Sequence, residues 1–291
     1  GLGFVHPTWR IFGARTGRWS ATDTAMQTIP KEVRYKLHEG REIVIKLRNL
    51  FRARPGYVLV EADYSQLELR IVAMLSGDEK LLDWYSKGYD VHTMNAADIW
   101  AKDWGTFSED KRKKVRDLAK RVVYGLNYGG SAETVWKSLI VDFPGLPFAA
   151  IQHVVEGWFK AHPRIQEWQS ALIAKAEIDK YIEEPLSGRR QYYHDGKIKP
   201  TEVLNFPIQG AAVTLANRAV MAIAGQLNWT DEALLAQVHD STVTEIIESK
   251  KVKLFSIVKE SMEQTVQLNG NLVKFPVDLK WGTNLAALKA A

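Results

Sequence analysis

The chain has 291 residues, 46% of them hydrophobic and 25% charged, with a formal net charge of +5 and no cysteine. This is the balance of a folded globular chain, so wholesale disorder is excluded, as are disulfides and thiolate metal sites. The length suggests two lobes sharing a centre, and the small basic surplus favours nucleic acid only weakly. No apolar run reaches bilayer length and no signal-peptide pattern opens the chain. The lack of cysteine fits an intracellular protein, and no membrane partner is expected.

Gly1 to Pro30 is rich in Gly, Thr and Ser, and Arg15 to Ser20 reads as an ordered basic loop. Lys31 to Phe51 reads as a helix with Ile43, Val44, Leu47 and Leu50 on one side. Pro55-Gly56 then launches a short β-branched run, Val58 to Val60, which reads as a buried strand. An apolar helix follows from Leu67 to the stop at Gly77. Asp63 lies at that junction, where a strand delivers a carboxylate to the rim of a sheet.

Two short helices follow, the second from Val91 to Trp100 with His92 in its first turn. Ser108, with Glu109 and Asp110 after it, marks the start of another helix. In it Arg116, Lys120 and Tyr124 are spaced four and four, which puts them on one face. Glycines 125, 129 and 130 loosen its end around Tyr128. Helices are expected over Ser131 to Ile140, Phe148 to Ala161 and Arg164 to Asp179. Tyr181 to Asp195 alternates as a hairpin would, turning at Ser187-Gly188, with Arg189 and Arg190 just beyond. Glu202 to Leu227 reads as a helix interrupted at Pro207, with Asn205, Gln209 and Gly210 on a polar stripe. Ala233 to Val238 and Thr242 to Ile247 read as strands joined tightly through His239-Asp240-Ser241. A helix over Val252 to Val266 and a closing strand over Val277 to Trp281 complete the chain.

Asp63 and Asp240 are therefore both acids at strand ends. An aspartate in a turn usually only caps or is solvated. If their strands are neighbours, however, the pair suits two Mg²⁺ ions, which take few carboxylates and keep water and phosphate oxygens. Such ions, roughly 3.5–4 Å apart, clamp the attacking and leaving oxygens of a phosphoryl transfer. Arg116 as a fork and Lys120 as a point charge would then hold a polyphosphate. The bland alternative for that helix is a solvated basic face.

Asp63 to Arg70 (Asp-Tyr-Ser-Gln-Leu-Glu-Leu-Arg) resembles motif A of the family A DNA polymerases, the group of bacterial DNA polymerase I. Arg116, Lys120, Tyr124-Gly125 and Tyr128-Gly129 resemble motif B, and Val238-His239-Asp240 resembles motif C. Thr16-Gly17-Arg18 to Pro30, and Asn205 to Gly210, are similar to two further segments in the same order. The resemblance implies an α+β right-hand fold. The palm (1–89 and 196–291) would hold an antiparallel sheet, and 90–195 would be a helical fingers insertion. Thumb and exonuclease are expected to be absent from this chain.

The resemblance further implies a DNA polymerase that adds deoxynucleoside triphosphates to a primer 3′-OH with two Mg²⁺ ions, without proofreading. By motif position, Asp63, Asp240 and the carbonyl of Tyr64 bind metal. Arg116 and Lys120 grip the triphosphate, and Tyr124 lies on the nucleotide's sugar and base. Glu68 crowds the 2′ position, and Gln66 and His92 join the nucleotide-binding set. Arg18, Tyr128, Asn205, Gln209, His239, Arg189 and Arg190 meet primer–template DNA. A separate thumb or processivity factor is a further candidate partner. Three positions depart from the common pattern: Tyr124 where many bacterial members have Phe, Ser241 where Glu usually follows the motif C acid, and Thr28 in place of Asn.

Two rivals have other expectations. A single-subunit RNA polymerase shares the palm and the cationic helix, but Glu68 stands where ribonucleotide users keep space. A silent DNA-binding fragment would not need Asp63, Asp240, Arg116 and Lys120 together.

Overall fold

The computed structural model describes residues 3–30, 32–38, 40–194 and 196–291. From the N-terminus, β1 (Thr8–Arg10) and β2 (Ser20–Thr22) pair antiparallel. β3 (Val33–Lys36) and β4 (Glu42–Ile45) form a second antiparallel hairpin, followed by a 3₁₀ turn over Leu47–Leu50. The expected helix over 31–51 is thus corrected. Within the two strands the apolar residues Val33, Ile43, Val44 and Ile45 are β-branched, which favours strands, and Ile43, Val44 and Ile45 are exposed, so no buried helical face exists. Lys31 and Asp195, the expected ends of that helix and of the later hairpin, lie outside the described residues.

β5 (Tyr57–Tyr64) leads to α1 (Leu67–Ser76), α2 (Glu79–Ser86), α3 (Val91–Ile99) and α4 (Glu109–Asn127). Next come α5 (Ala132–Leu139), α6 (Phe148–Ala161), α7 (Pro163–Asp179) and the hairpin of β6 (Tyr181–Glu183) with β7 (Arg190–Tyr192). α8 (Pro200–Gln226) runs through Pro207 without the expected break. A mid-helix proline costs roughly 3 kcal/mol; here Val203, Leu204, Phe206 and Ile208 are all buried around it and hold the helix. β8 (Glu232–Val238) and β9 (Ser241–Ile247) precede α9 (Lys251–Met262). The expected helix to Val266 stops at Met262. β10 (Gln264–Leu268) and β11 (Asn271–Phe275) pair instead, turning through Asn269-Gly270, both at positive φ. β12 (Val277–Gly282) and β13 (Lys289–Ala290) end the chain.

Two compact units share these elements. The first comprises Gly1–Leu67, Ala212–Gln264 and Phe275–Ala291. Its centre is a five-stranded antiparallel sheet in the order β13-β12-β5-β9-β8. Strand alternation sends Val58, Val60, Ala62 and Tyr64 of β5 to a fully buried face, where α9 packs with Leu254, Val258 and Met262. Glu61 and Asp63 alternate to the other face. That face is apolar only further along, where Leu59, Ala236 and Val243 cluster under Trp9, Ala53, Leu285 and Leu288.

The second unit comprises Glu68–Ala211 and Thr265–Lys274. It is helical: α3 packs on α4 and α6, and α4 on α5 and α6. Val122, Val123, Leu126, Ile151, Val154 and Trp158 fill its core. His162, fully buried, is held between Asp78 Oδ1 at 2.9 Å and Asn95 Oδ1 at 2.7 Å, so its polar ring is partnered at both nitrogens.

Candidate active site

β5 is the middle strand of its sheet, and Asp63 is its second-last residue. Across β9, Asp63 pairs in register with Ser241, so Asp240, one residue earlier, lies beside it in the β8–β9 turn. Across β12, Asp63 pairs with Asp278. Directly opposed residues share a sheet face, so Asp63 has acids on both flanks. Burial foremost, then the charges of Asp240 and Glu61, push the Asp63 carboxyl up from its ordinary 3.8 to about 6; Lys280 opposes this and Asp278 adds to it. Like charges crowded this way favour a proton or a metal ion. The donors are all oxygens, which fits a hard divalent cation. Among the described residues no group of three or more His, Cys, Asp or Glu is arranged to hold a metal. A two-carboxylate site suits Mg²⁺, which completes its shell with water and phosphate oxygens. Ser241 adds no carboxylate, and its hydroxyl donates to the Val238 carbonyl at 2.9 Å, closing the turn. Tyr64 turns its ring into the buried face, where its hydroxyl accepts from Gln264 Nε2 at 3.0 Å.

The turn that carries Asp240 has two residues between Val238 and Ser241, and His239 occupies φ +58°. For an L-residue this left-handed conformation costs roughly 1–2 kcal/mol. His239 is exposed at the tip. His239→Gly is therefore expected to raise stability by about 0.5–1 kcal/mol in urea unfolding, glycine's own chain entropy offsetting part of the relief. A loss of stability would show that contacts hold the imidazole there. Gln27 ties the arginine loop to the same place: its Nε2 donates to Trp19 O at 3.0 Å and to Gln237 O at 3.3 Å. Half-buried Arg18 is thereby anchored in the unit that holds Asp240. Gln66, at φ +55°, makes the elbow between β5 and α1.

The second unit carries the cations. α4 starts at Ser108, whose Oγ accepts from Lys111 N at 3.3 Å, with Glu109 and Asp110 in the first turn. Ala119, Val122, Val123 and Leu126 bury one side of the helix, leaving Arg116, Lys120 and Tyr124 half-buried on another. Arg116 Nε donates to Asp90 Oδ2 at 2.8 Å and to Thr93 Oγ1 at 3.1 Å. Burial alone would raise the Asp90 carboxyl, but hydrogen bonds from Arg116 and Thr93 outweigh it and hold it at about 2. His92, 2% exposed, lies with its ring 6.2 Å from that of Tyr124. Burial, then the charges of Lys120 and Arg116, lower its pKa to about 4, so the ring is neutral at pH 7. Neither of its nitrogens finds a partner among the described residues.

At the end of α4, the Tyr128 hydroxyl hydrogen-bonds to the Glu68 carboxylate. The backbone folds back closely there: a Cβ on Gly130 would come 2.8 Å from the Gly125 carbonyl. On α8, Gln209 Nε2 donates to Asn205 Oδ1 at 3.0 Å. Arg190 Nε donates to Glu183 Oε2 at 2.7 Å and its guanidinium stacks 4.7 Å over Tyr181, while Arg189 is half-buried. Thus Asp63, Tyr64, Gln66, Asp240, His239 and Arg18 belong to the first unit. Glu68, His92, Arg116, Lys120, Tyr124, Tyr128, Asn205, Gln209, Arg189 and Arg190 belong to the second. Asp90, Asp278 and Lys280 escaped the sequence reading. The alternation Val277-Asp278-Leu279-Lys280 was a usable signal for the last two; Asp90 showed only as the acid before the His92 helix.

Residues 2–287 match the family model of DNA polymerase family A. The chain is 32% identical over 275 residues to the thermostable DNA polymerase I of Thermus filiformis, covering 92% of this chain and 31% of that protein. It is 30% identical over 289 residues to DNA polymerase I of Deinococcus radiodurans, covering 97% of this chain and 28% of that one. The solved POL domain of Pol1 from M. smegmatis, a complex with DNA primer-template and dNTP, aligns with a TM-score of 0.79 and 27% identity over 99% of this chain and 49% of that chain. The chain therefore spans less than a third of the length of these two relatives. Matched along nearly its whole length, it belongs to DNA polymerase family A.

Proposed function

We propose that this chain carries out template-directed DNA synthesis, joining deoxynucleoside triphosphates to a primer 3′-OH. The observation that carries the reading is the side-by-side placement of Asp63 and Asp240 across β5 and β9, with the Asp63 carboxyl pushed up to about 6. In the reaction the 3′-oxygen bonds to the α-phosphorus, the α–β anhydride bond breaks and pyrophosphate leaves. Asp63, Asp240 and the Tyr64 carbonyl would hold two Mg²⁺ ions. Bound there, the ions would neutralise charge on the phosphoryl oxygens and favour the ionised 3′-oxygen.

The other residues bind and select. Arg116 and Lys120 grip the triphosphate, the first as a planar fork and the second as a point charge. His92, neutral and buried, donates one ring N–H to a phosphate oxygen. Tyr124 lies along the sugar and base, and Glu68, fixed by Tyr128, fills the space a 2′-hydroxyl would need. Arg18, His239, Asn205 and Gln209 touch the minor groove, where correct pairs present similar acceptors, so that pair shape is tested without reading sequence. Arg189 and Arg190 meet backbone phosphates. In this reading the first unit is a palm and the second contains the fingers. Primer–template DNA and dNTPs are the partners, a separate thumb or processivity factor is a further candidate, and the bacterial cytoplasm is the setting.

A primer-extension assay tests the proposal. The chain is expected to extend a labelled primer with dNTPs and Mg²⁺, and Asp63→Ala to be silent. Equal extension by both proteins, or none by either, would count against it. The Tyr124 hydroxyl has a separate expected result. In this reading it partly replaces a missing 3′-OH, so Tyr124→Phe should lose about tenfold in acceptance of dideoxynucleotides, one hydrogen bond's worth. Single-nucleotide competition between dATP and ddATP measures this.

A further inference from the structure

The carboxylate of Asp90 joins two elements that the proposed nucleotide grip uses. Its Oδ1 accepts from the backbone N–H of His92 at 3.2 Å, capping α3. Its Oδ2 accepts from Thr93 Oγ1 at 2.7 Å and from Arg116 Nε at 2.8 Å. One side chain therefore fixes both the entry of the helix bearing His92 and the direction of the guanidinium on α4. Stability is a poor reason for this arrangement. Asp90 is exposed and Arg116 half-exposed, and ion pairs so placed are worth little.

The geometry offers a better reason. A guanidinium has five donors in a rigid plane. Asp90 takes the Nε–H, and Nη1 reaches Asp117 Oδ1 only at a loose 3.4 Å. With Nε pinned the plane cannot swing, and the Nη edge stays presented for a forked contact with phosphate oxygens. On the same side, both buried ring nitrogens of His92 lack a partner among the described residues, beside the Tyr124 ring. Buried polar atoms that no protein group satisfies are open to a partner from a bound ligand, ion or water.

We propose that Asp90 is a positioning residue that sets the Arg116 fork and the His92 ring together to receive the triphosphate of the incoming nucleotide. This rests on the reading of Arg116 and His92 as triphosphate contacts. Asp90 itself touches no substrate and acts through those two side chains.

The test is a double-variant cycle on Asp90 and Arg116. Asn is as good a helix cap as Asp, so Asp90→Asn keeps the cap of α3 through its Oδ1 and replaces the charged oxygen that holds the guanidinium with an NH2 that cannot accept from it. Binding of a fluorescent mant-dATP with Mg²⁺ and primer–template gives Kd, and single-nucleotide extension gives KM and kcat separately. Asp90→Asn is expected to weaken Kd and KM about fivefold to tenfold while kcat changes less. Asp90→Glu should recover part of the loss. In the Arg116→Ala background, Asp90→Asn should then add no more than about twofold, the residual effect through His92. Wild-type Kd in Asp90→Asn beside a weakened Arg116→Ala overturns the inference, as do fully additive losses. Wild-type Kd in Arg116→Ala overturns the reading of Arg116 as a triphosphate contact, and this inference with it.

Discussion

Asp63→Asn is expected to abolish nucleotide transfer while making the chain more stable. Asp63 and Asp240 are the proposed metal ligands, and removing one removes several kcal/mol of transition-state charge stabilisation, on the order of 10³-fold in rate. The stability gain follows from the same crowding. Burial and the charge of Asp240 raise the folded-state pKa from 3.8 to about 6. The folded chain thus binds that proton more tightly than the unfolded chain does. Stability contributed by the protonated acid is complete below about pH 4 and is lost as pH rises to about 6. Full conversion of the shift would give about 3 kcal/mol; partial exposure of the carboxyl reduces this to about 1–2 kcal/mol. Urea unfolding at pH 4 and pH 7 should show the variant gaining on wild type only at the higher pH. Mg²⁺ should raise the Tm of wild type and not of Asp63→Asn. An unchanged extension rate in the variant would remove Asp63 from the chemistry.

Arg116→Ala and Lys120→Ala are each expected to raise the KM for dNTP by about 10–100-fold, the range set by charge-assisted hydrogen bonds of roughly 1.5–3 kcal/mol. Their spacing on α4 gives two cations one turn apart, suited to neighbouring phosphates. Arg116→Lys should not restore the wild-type KM, because a point charge cannot reproduce a planar fork already held through Nε. Lys120→Ala carries a second signature. Lys120 is, after burial, the largest influence lowering His92, so the His92 pKa should rise above about 4 while staying below its ordinary value. An NMR titration of the His92 ring reads this directly. A KM within twofold of wild type in both alanine variants would leave α4 as a plain basic surface helix.

Much of this was legible because it depends on short-range patterns. The β5 run, the junction at Asp63 and the α1 stripe announce a strand feeding a helix, and the structure has them. The tight link between β8 and β9 at Asp240 was legible for the same reason, and so was the cap of α4 at Ser108. The sequence misleads where a helical and a strand period both fit the same residues. Ile43, Val44, Leu47 and Leu50 fit a helical stripe, yet Ile43 and Val44 are β-branched and sit in an exposed hairpin whose Gly40 lies at φ +74°. Asn269-Gly270 is a strong hairpin signal, but the apolar spacing of α9 continues to Val266 and masks the end of the helix at Met262. The pairing of Asp90 with Arg116 spans 26 positions and depends on α3 packing against α4, which no local pattern encodes.

The central place of β5 in its sheet has a consequence for endurance. Its backbone is bonded to β9 on one side and β12 on the other, whereas β13 and β8 take the margins. Breathing at those margins, or in the outlying β3–β4 ribbon, leaves the amides around Ala62 and Asp63 shielded from solvent deuterium. The carboxylate on which the proposed chemistry turns is thus carried by the part of the sheet that gives way last.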